Sequence, residues 1–66
     1  MTEKQIGEEL TADYPIYAGY TYIAQLETLE YKLIISDIFG TAEDLIRDLK
    51  SQQIPVLRIY KYNMFA

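Results

Sequence analysis

Between Ala42 and Leu49 the apolar positions recur as Ala42, Leu45, Ile46 and Leu49, the i, i+3, i+4, i+7 stripe of a helix that buries one side. Glu43, Asp44, Arg47, Asp48 and Lys50 fall mostly around that stripe. Thr41, after Gly40, is placed to cap the helix with Asp44 three residues on, and Glu43 and Asp44 suit the positive end of its dipole. Ile54-Pro55 stops it, so the spacing predicts an amphipathic helix over about 42–52. Val56 to Tyr62 is rich in β-branched and aromatic residues and predicts a final strand, with Pro55 tolerable only at a strand's beginning or edge.

The first half of the chain is less regular. Ile16 to Leu26, with Tyr17, Tyr20, Thr21, Tyr22 and Ile23, predicts a strand that follows the break at Tyr14-Pro15, and Gly19 within it marks a bulge or a close contact. Tyr31 to Ser36 also has strand composition and supplies an antiparallel partner, so a hairpin is the preferred reading. A helix over 22–33 stays open beside it. Tyr22, Leu26, Leu29 and Leu33 are spaced four, three and four, and Glu27-Thr28-Leu29-Glu30 contains no glycine, proline or asparagine to make a turn. At the start, Thr2 with Gln5 fits a capping box and Ile6 and Leu10 lie one helical turn apart, which predicts a short helix from about Glu3 to Leu10. Gly7 in its middle costs about 1 kcal/mol against alanine, so residues 1–12 hold only if docked and are expected to fray otherwise. The expected fold is a single small α+β domain spanning 1–66, in the order α-β-β-α-β. A three-stranded, mainly antiparallel sheet carries a helix on one face.

Composition narrows the function. A chain of 66 residues buries only about 60% of the surface its unfolded form exposes. Half its residues are hydrophobic, enough for a folded domain. The longest strictly aliphatic run, Leu33-Ile34-Ile35, is far short of the roughly 20 residues that span a bilayer. The first residues lack the basic segment and apolar stretch of a secretory signal, so no membrane association and a cytoplasmic location are expected.

Histidine, cysteine and tryptophan are absent. That removes the side chains that most often transfer protons at neutral pH, attack as thiolates or hold zinc. The hydroxyls of Thr2, Thr11, Thr21, Thr28, Thr41, Ser36 and Ser51 have no histidine to activate them, and no phosphate-cradling or nucleophile motif is present. Gly40-Thr41 at a helix start reads as a cap rather than an anion site. Asp37, Glu43, Asp44 and Asp48 lack the ordered spacing of a calcium loop and read as solvated acids. No catalytic residue, cofactor or metal is expected.

Charge and tyrosine point to a surface. The net charge is −4, but residues 1–48 hold ten acids against Lys4, Lys32 and Arg47, whereas the rest carries only Lys50, Arg58 and Lys61. Such polarity repels nucleic-acid phosphates and steers basic partners, so direct nucleic-acid binding is not expected. Seven residues are tyrosine, the rigid, polar-tipped side chain that anchors interfaces. Strand parity groups Tyr14, Tyr20 and Tyr22 on one element and Arg58, Tyr60 and Tyr62 on another. Leu57 and Ile59 take the opposite side and seat the helix. With one covering helix, the second sheet face becomes an open tyrosine surface, and Tyr20, Tyr22, Arg58, Tyr60 and Tyr62 are the candidate partner-binding residues.

In size, acidity and lack of catalytic groups the chain resembles the small accessory proteins of bacteriophages and mobile elements. That resemblance, one of character with no shared motif, implies a module that binds and inhibits or modulates a host protein, such as an enzyme or a nucleic-acid-binding protein. Two alternatives stand beside it. One is a homodimer or larger homo-oligomer that buries its tyrosine face, and the other is an acidic DNA mimic that arrays Glu27, Glu30, Asp37, Glu43, Asp44 and Asp48.

Overall fold

Helix α1 (Ala42–Ser51) starts where the capping residues place it. In a computed structural model describing residues 2–65, Thr41 is extended, its Oγ1 accepts the Asp44 N–H at 3.2 Å and its own N–H donates to Asp44 Oδ2 at 2.9 Å. These bonds from Thr41, backbone first and hydroxyl second, hold the Asp44 carboxyl below the usual carboxylate range against the opposing effect of burial, with Arg47 assisting. Two further N–H groups of the first turn are satisfied from outside the helix, Ala42 by the Tyr14 carbonyl at 2.8 Å and Glu43 by the Ala12 carbonyl at 3.1 Å. A Cβ at Gly40 would lie 2.7 Å from Asp44 Oδ2, so a side chain there would displace the carboxylate from its capping position.

The helix packs on one face of a four-stranded antiparallel sheet of β1 (Ile6–Glu9), β3 (Thr21–Leu26), β4 (Tyr31–Ile35) and β6 (Val56–Tyr62), in the spatial order β1-β6-β3-β4. A two-residue ribbon of β2 (Pro15–Ile16) and β5 (Gly40–Thr41) completes the fold. Leu45 and Leu49 of α1 meet Tyr22, Ala24, Ile34, Val56 and Ile59 of the sheet, and Leu10 and Ile16 close the margins of this core. The domain is small α+β, as the periodicities imply. Helix α1 and β6 occupy the expected ranges to within a residue.

The hairpin, not the helix, occupies residues 22–33. Strands β3 and β4 pair from Thr21↔Ile35 to Gln25↔Tyr31, so that Tyr22 and Ala24 fall on the helix-covered face and Ile23 on the other. The turn closes without glycine because Leu26 N–H donates to the Glu30 carbonyl and Leu29 N–H to the Leu26 carbonyl, both at 2.8 Å, while Leu29 takes a φ of 71°. The Glu27 N–H, bonded to the Pro55 carbonyl at 2.9 Å, fixes the turn to the rest of the fold.

Four expectations need correction. The predicted N-terminal helix is one 3-10 turn, Glu3–Gln5, followed by β1. The capping pair forms, with the Thr2 N–H on Gln5 Oε1 at 2.8 Å, but it starts a single turn only. Gly7 accounts for the strand: a Cβ there would lie 2.9 Å from both Cβ and O of Lys61, so the glycine lets β1 approach β6 and makes the sheet four-stranded. Second, the strand expected from Ile16 to Leu26 is broken by a turn at Tyr17–Tyr20, where Gly19 has a φ of 86° and donates to the Ser36 carbonyl at 2.7 Å. Third, the main sheet has four strands rather than three, with β2 set apart in its own ribbon with β5. Fourth, Leu57 does not share the helix seat with Ile59. The register steps from Gln25↔Arg58 to Leu26↔Val56, and this bulge turns Leu57 outward and puts Val56 in its place.

Two substitutions separate this fold from the helical readings by the sign of their effect. Leu29→Gly relieves a left-handed residue whose side chain is exposed and is expected to stabilise by about 0.5–1 kcal/mol, whereas glycine in a helix over 22–33 would cost about 1 kcal/mol. Gly7→Ala is expected to destabilise by about 1 kcal/mol or more, where an N-terminal helix would gain about that much. Urea midpoints of the two variants decide both cases.

Candidate functional site

Arg58, Tyr60 and Tyr62 project from β6 onto the sheet face that no helix covers, as strand parity requires. Their neighbours on that face follow from the register: Tyr60 lies beside Ile23 and Ile23 beside Leu33, while Arg58 lies beside Gln25 and Gln25 beside Tyr31. Ile23 is fully buried there without a second layer, so the surrounding side chains are what exclude water from it. Gln25 organises the polar part. Its Oε1 accepts from Arg58 Nη1 at 2.9 Å and from the Tyr60 hydroxyl at 3.3 Å, and Arg58 Nε lies 3.6 Å from Glu9 Oε1 on β1. Tyr31 meets Tyr60 edge to face, with ring centroids 5.8 Å apart. Burial, followed by the neighbouring Tyr31 and Glu9, pushes the Tyr60 phenol up from its ordinary value, outweighing Arg58.

The other predicted residues lie elsewhere. Tyr22 is buried in the core beneath α1, facing away from Tyr60 and Tyr62, and its hydroxyl accepts the Tyr17 N–H at 3.2 Å, which pins the turn before β3. It is a packing residue rather than an exposed anchor, although its ring edge reaches a cleft. Tyr20 stands on that turn, 63% exposed, with its ring 5.6 Å from that of Tyr17.

The cleft, about 260 Å³, opens at the end of the sheet where β3 begins and β6 ends, among Tyr14, Tyr17, Tyr20, Tyr62, Lys61 and Asn63. Among the described residues Lys61 is its one charged lining group, and its ammonium sits 5.1 Å from the centroid of the Tyr14 ring. Tyr20, Thr21 and Tyr62 also line an adjoining groove with Gly19 and Met64. Thr21, which lines the cleft, pairs with Ile35, so the cleft adjoins the β4 side of the open face. The predicted five thus divide into Tyr20, Tyr22 and Tyr62 at the cleft and Arg58 and Tyr60 in the Gln25 cluster.

The apolar side chains of β4 are absent from the predicted set. Tyr31, Leu33 and Ile35 are 42%, 45% and 70% exposed along one side of that strand. Composition reveals the strand, but its place at the sheet's edge, which leaves these three uncovered, depends on the long-range order β6-β3-β4.

Elsewhere the acids are engaged or scattered. Glu43 and Asp44 lie 3.5 and 3.3 Å from Arg47, and Asp48 accepts from Gln52 at 2.9 Å. No three acids come together as a metal-binding group among the described residues. No helix among them is long and apolar enough to cross a membrane. No protein family, curated protein or solved structure matches the chain.

The Tyr60 environment gives a sign for alkaline stability. A raised folded pKa means that the unfolded chain loses this proton first, so the associated stability is complete below about pH 10 and is lost as pH rises through the folded value. Urea denaturation between about pH 9 and 11 should show a smaller loss for Tyr60→Phe than for the parent chain.

Proposed function

We propose that this protein is a small protein-binding module whose contact surface runs from the tyrosine cleft onto the open sheet face. The observation that carries the reading is the set of exposed aromatic and aliphatic side chains, Tyr17, Tyr20, Leu33 and Ile35, together with the half-buried Tyr62, on an otherwise acidic molecule. Rigid rings lose little conformational freedom on being covered, and the Gln25 cluster holds Tyr60 and Arg58 in place before a partner arrives.

Chemistry at the cleft is disfavoured by its inventory. The three groups with displaced pKa values, Asp44, Asp48 and Tyr60, are not among its lining residues, and phenols with one ammonium make a poor acid/base set at neutral pH. Nucleic acid is disfavoured by the net charge of −4 and by the single cation among the rings. Among protein partners, we adopt the accessory role of binding and inhibiting or redirecting a larger cytoplasmic protein. It suits a domain with an exposed apolar face.

Affinity capture from the source cell with the immobilised chain tests this reading. A specifically retained protein should lose at least about tenfold in affinity when Tyr20→Ala and Tyr62→Ala are combined, with circular dichroism establishing that the variant is folded. Undiminished capture by the folded double variant overturns the assignment of the surface.

A further inference from the structure

The two edges of the main sheet are built differently. Strand β1 is four residues long, is bulged between Ile6 and Glu9, and ends in Glu8-Glu9, all devices that stop another strand from pairing with an edge. Strand β4 is less protected. Its five residues pair in unbroken register with β3, contain no proline or glycine, and carry one charge, Lys32.

The hydrogen-bond phase of β4 fixes what its outer edge presents. Ser36 N–H donates to the Tyr20 carbonyl at 2.9 Å and the Glu30 carbonyl accepts from Leu26 at 2.8 Å. In an antiparallel ladder bonded residues alternate, so Glu30, Lys32, Ile34 and Ser36 bond inward to β3. Tyr31, Leu33 and Ile35 therefore direct their backbone N–H and C=O groups away from the sheet, and β3 is the only neighbour of β4 among the described residues. The same three residues carry the exposed side chains of the open face.

Charge marks the two ends of this edge. Glu27 and Glu30 stand exposed before β4, and Asp37 stands exposed after it. Burial first and the Asp37 carboxylate second push the neighbouring Asp48 carboxyl up.

Deepening the binding-module reading on which it rests, we propose that β4 accepts a fifth strand from a partner protein, an extended segment with alternating apolar residues at its centre and lysine or arginine at both ends. The added backbone would bond to Tyr31, Leu33 and Ile35, its apolar side chains would lie beside theirs on the open face, and its basic ends would meet Glu30 and Asp37. Acidic flanks favour such a segment over a second copy of this chain, which would bring its own acids to the contact.

The test uses the full chain and a synthetic peptide of about eight residues, alternating valine and threonine with two lysines at each end. Amide exchange should slow at Tyr31, Leu33 and Ile35 on addition of this peptide. Affinity should fall at least about tenfold when glutamates replace the peptide's lysines, when its central amides are N-methylated, or when the protein carries Ile35→Lys at its most exposed apolar β4 position. The methylated peptide requires no change to the protein, so its result does not depend on a variant folding. Equal binding of the glutamate peptide, protection mapped to the cleft instead of β4, or light scattering that shows a dimer which Ile35→Lys returns to monomer would each overturn the proposal. If the peptide fails while capture still depends on Tyr20 and Tyr62, the fifth strand is wrong and the binding module stands.

Discussion

The pairing of β3 with β6 is the contact on which the rest of the structure depends. Both strands are interior, and Ala24 opposite Ile59 places two almost fully buried side chains beneath α1. The smallness of Ala24 gives the leucines of α1 room to pack against the sheet, while on the other side Ile23 beside Tyr60 makes a second, thinner apolar layer. A domain this short has one helix for two sheet faces. The uncovered face keeps water from Ile23 only through a mat of tyrosines, leucine and the Gln25–Arg58 network.

That arrangement links stability to recognition. Tyr60 and Arg58 serve the fold by bonding to Gln25, and the same bonds hold them still at the surface. Tyr22 shows the opposite division of labour: its ring fills the core and its hydroxyl holds the Tyr17 backbone, so it supports the cleft from below. Electrostatics sort the molecule in parallel. The first helical turn uses Asp44 locally as a cap partner, while Glu27, Glu30 and Asp37 stay exposed at the ends of the less protected edge.

What could be read from the residues alone was what local physics determines. The stripe from Ala42 to Leu49 and the Thr41–Asp44 pair specify a helix and its start within a few residues of each other, and Val56 to Tyr62 is a strand by composition and by the proline before it. The parity of Arg58, Tyr60 and Tyr62 held because no bulge falls among them. It failed at Leu57, where one does. Ile6 and Leu10 have the spacing of a helical turn, yet the segment is a strand because of a close approach to Lys61, more than fifty positions away in sequence. Leu33 and Ile35 escaped notice for the same reason, since an edge is defined by the absence of a neighbour and no local pattern encodes it.

The strand order has a bearing on how the protein comes into being. Strand β6 is the last of the sheet to be synthesised, yet it lies between β1 and β3. Until residues 56–62 have left the ribosome, β1 has no partner, β3 has only the hairpin, and α1 lacks the Val56 and Ile59 it packs against. The contacts that join β1, β3 and α1 are thus non-local ones that pass through the last strand of the sheet, the kind of pairing that folds slowly relative to local structure.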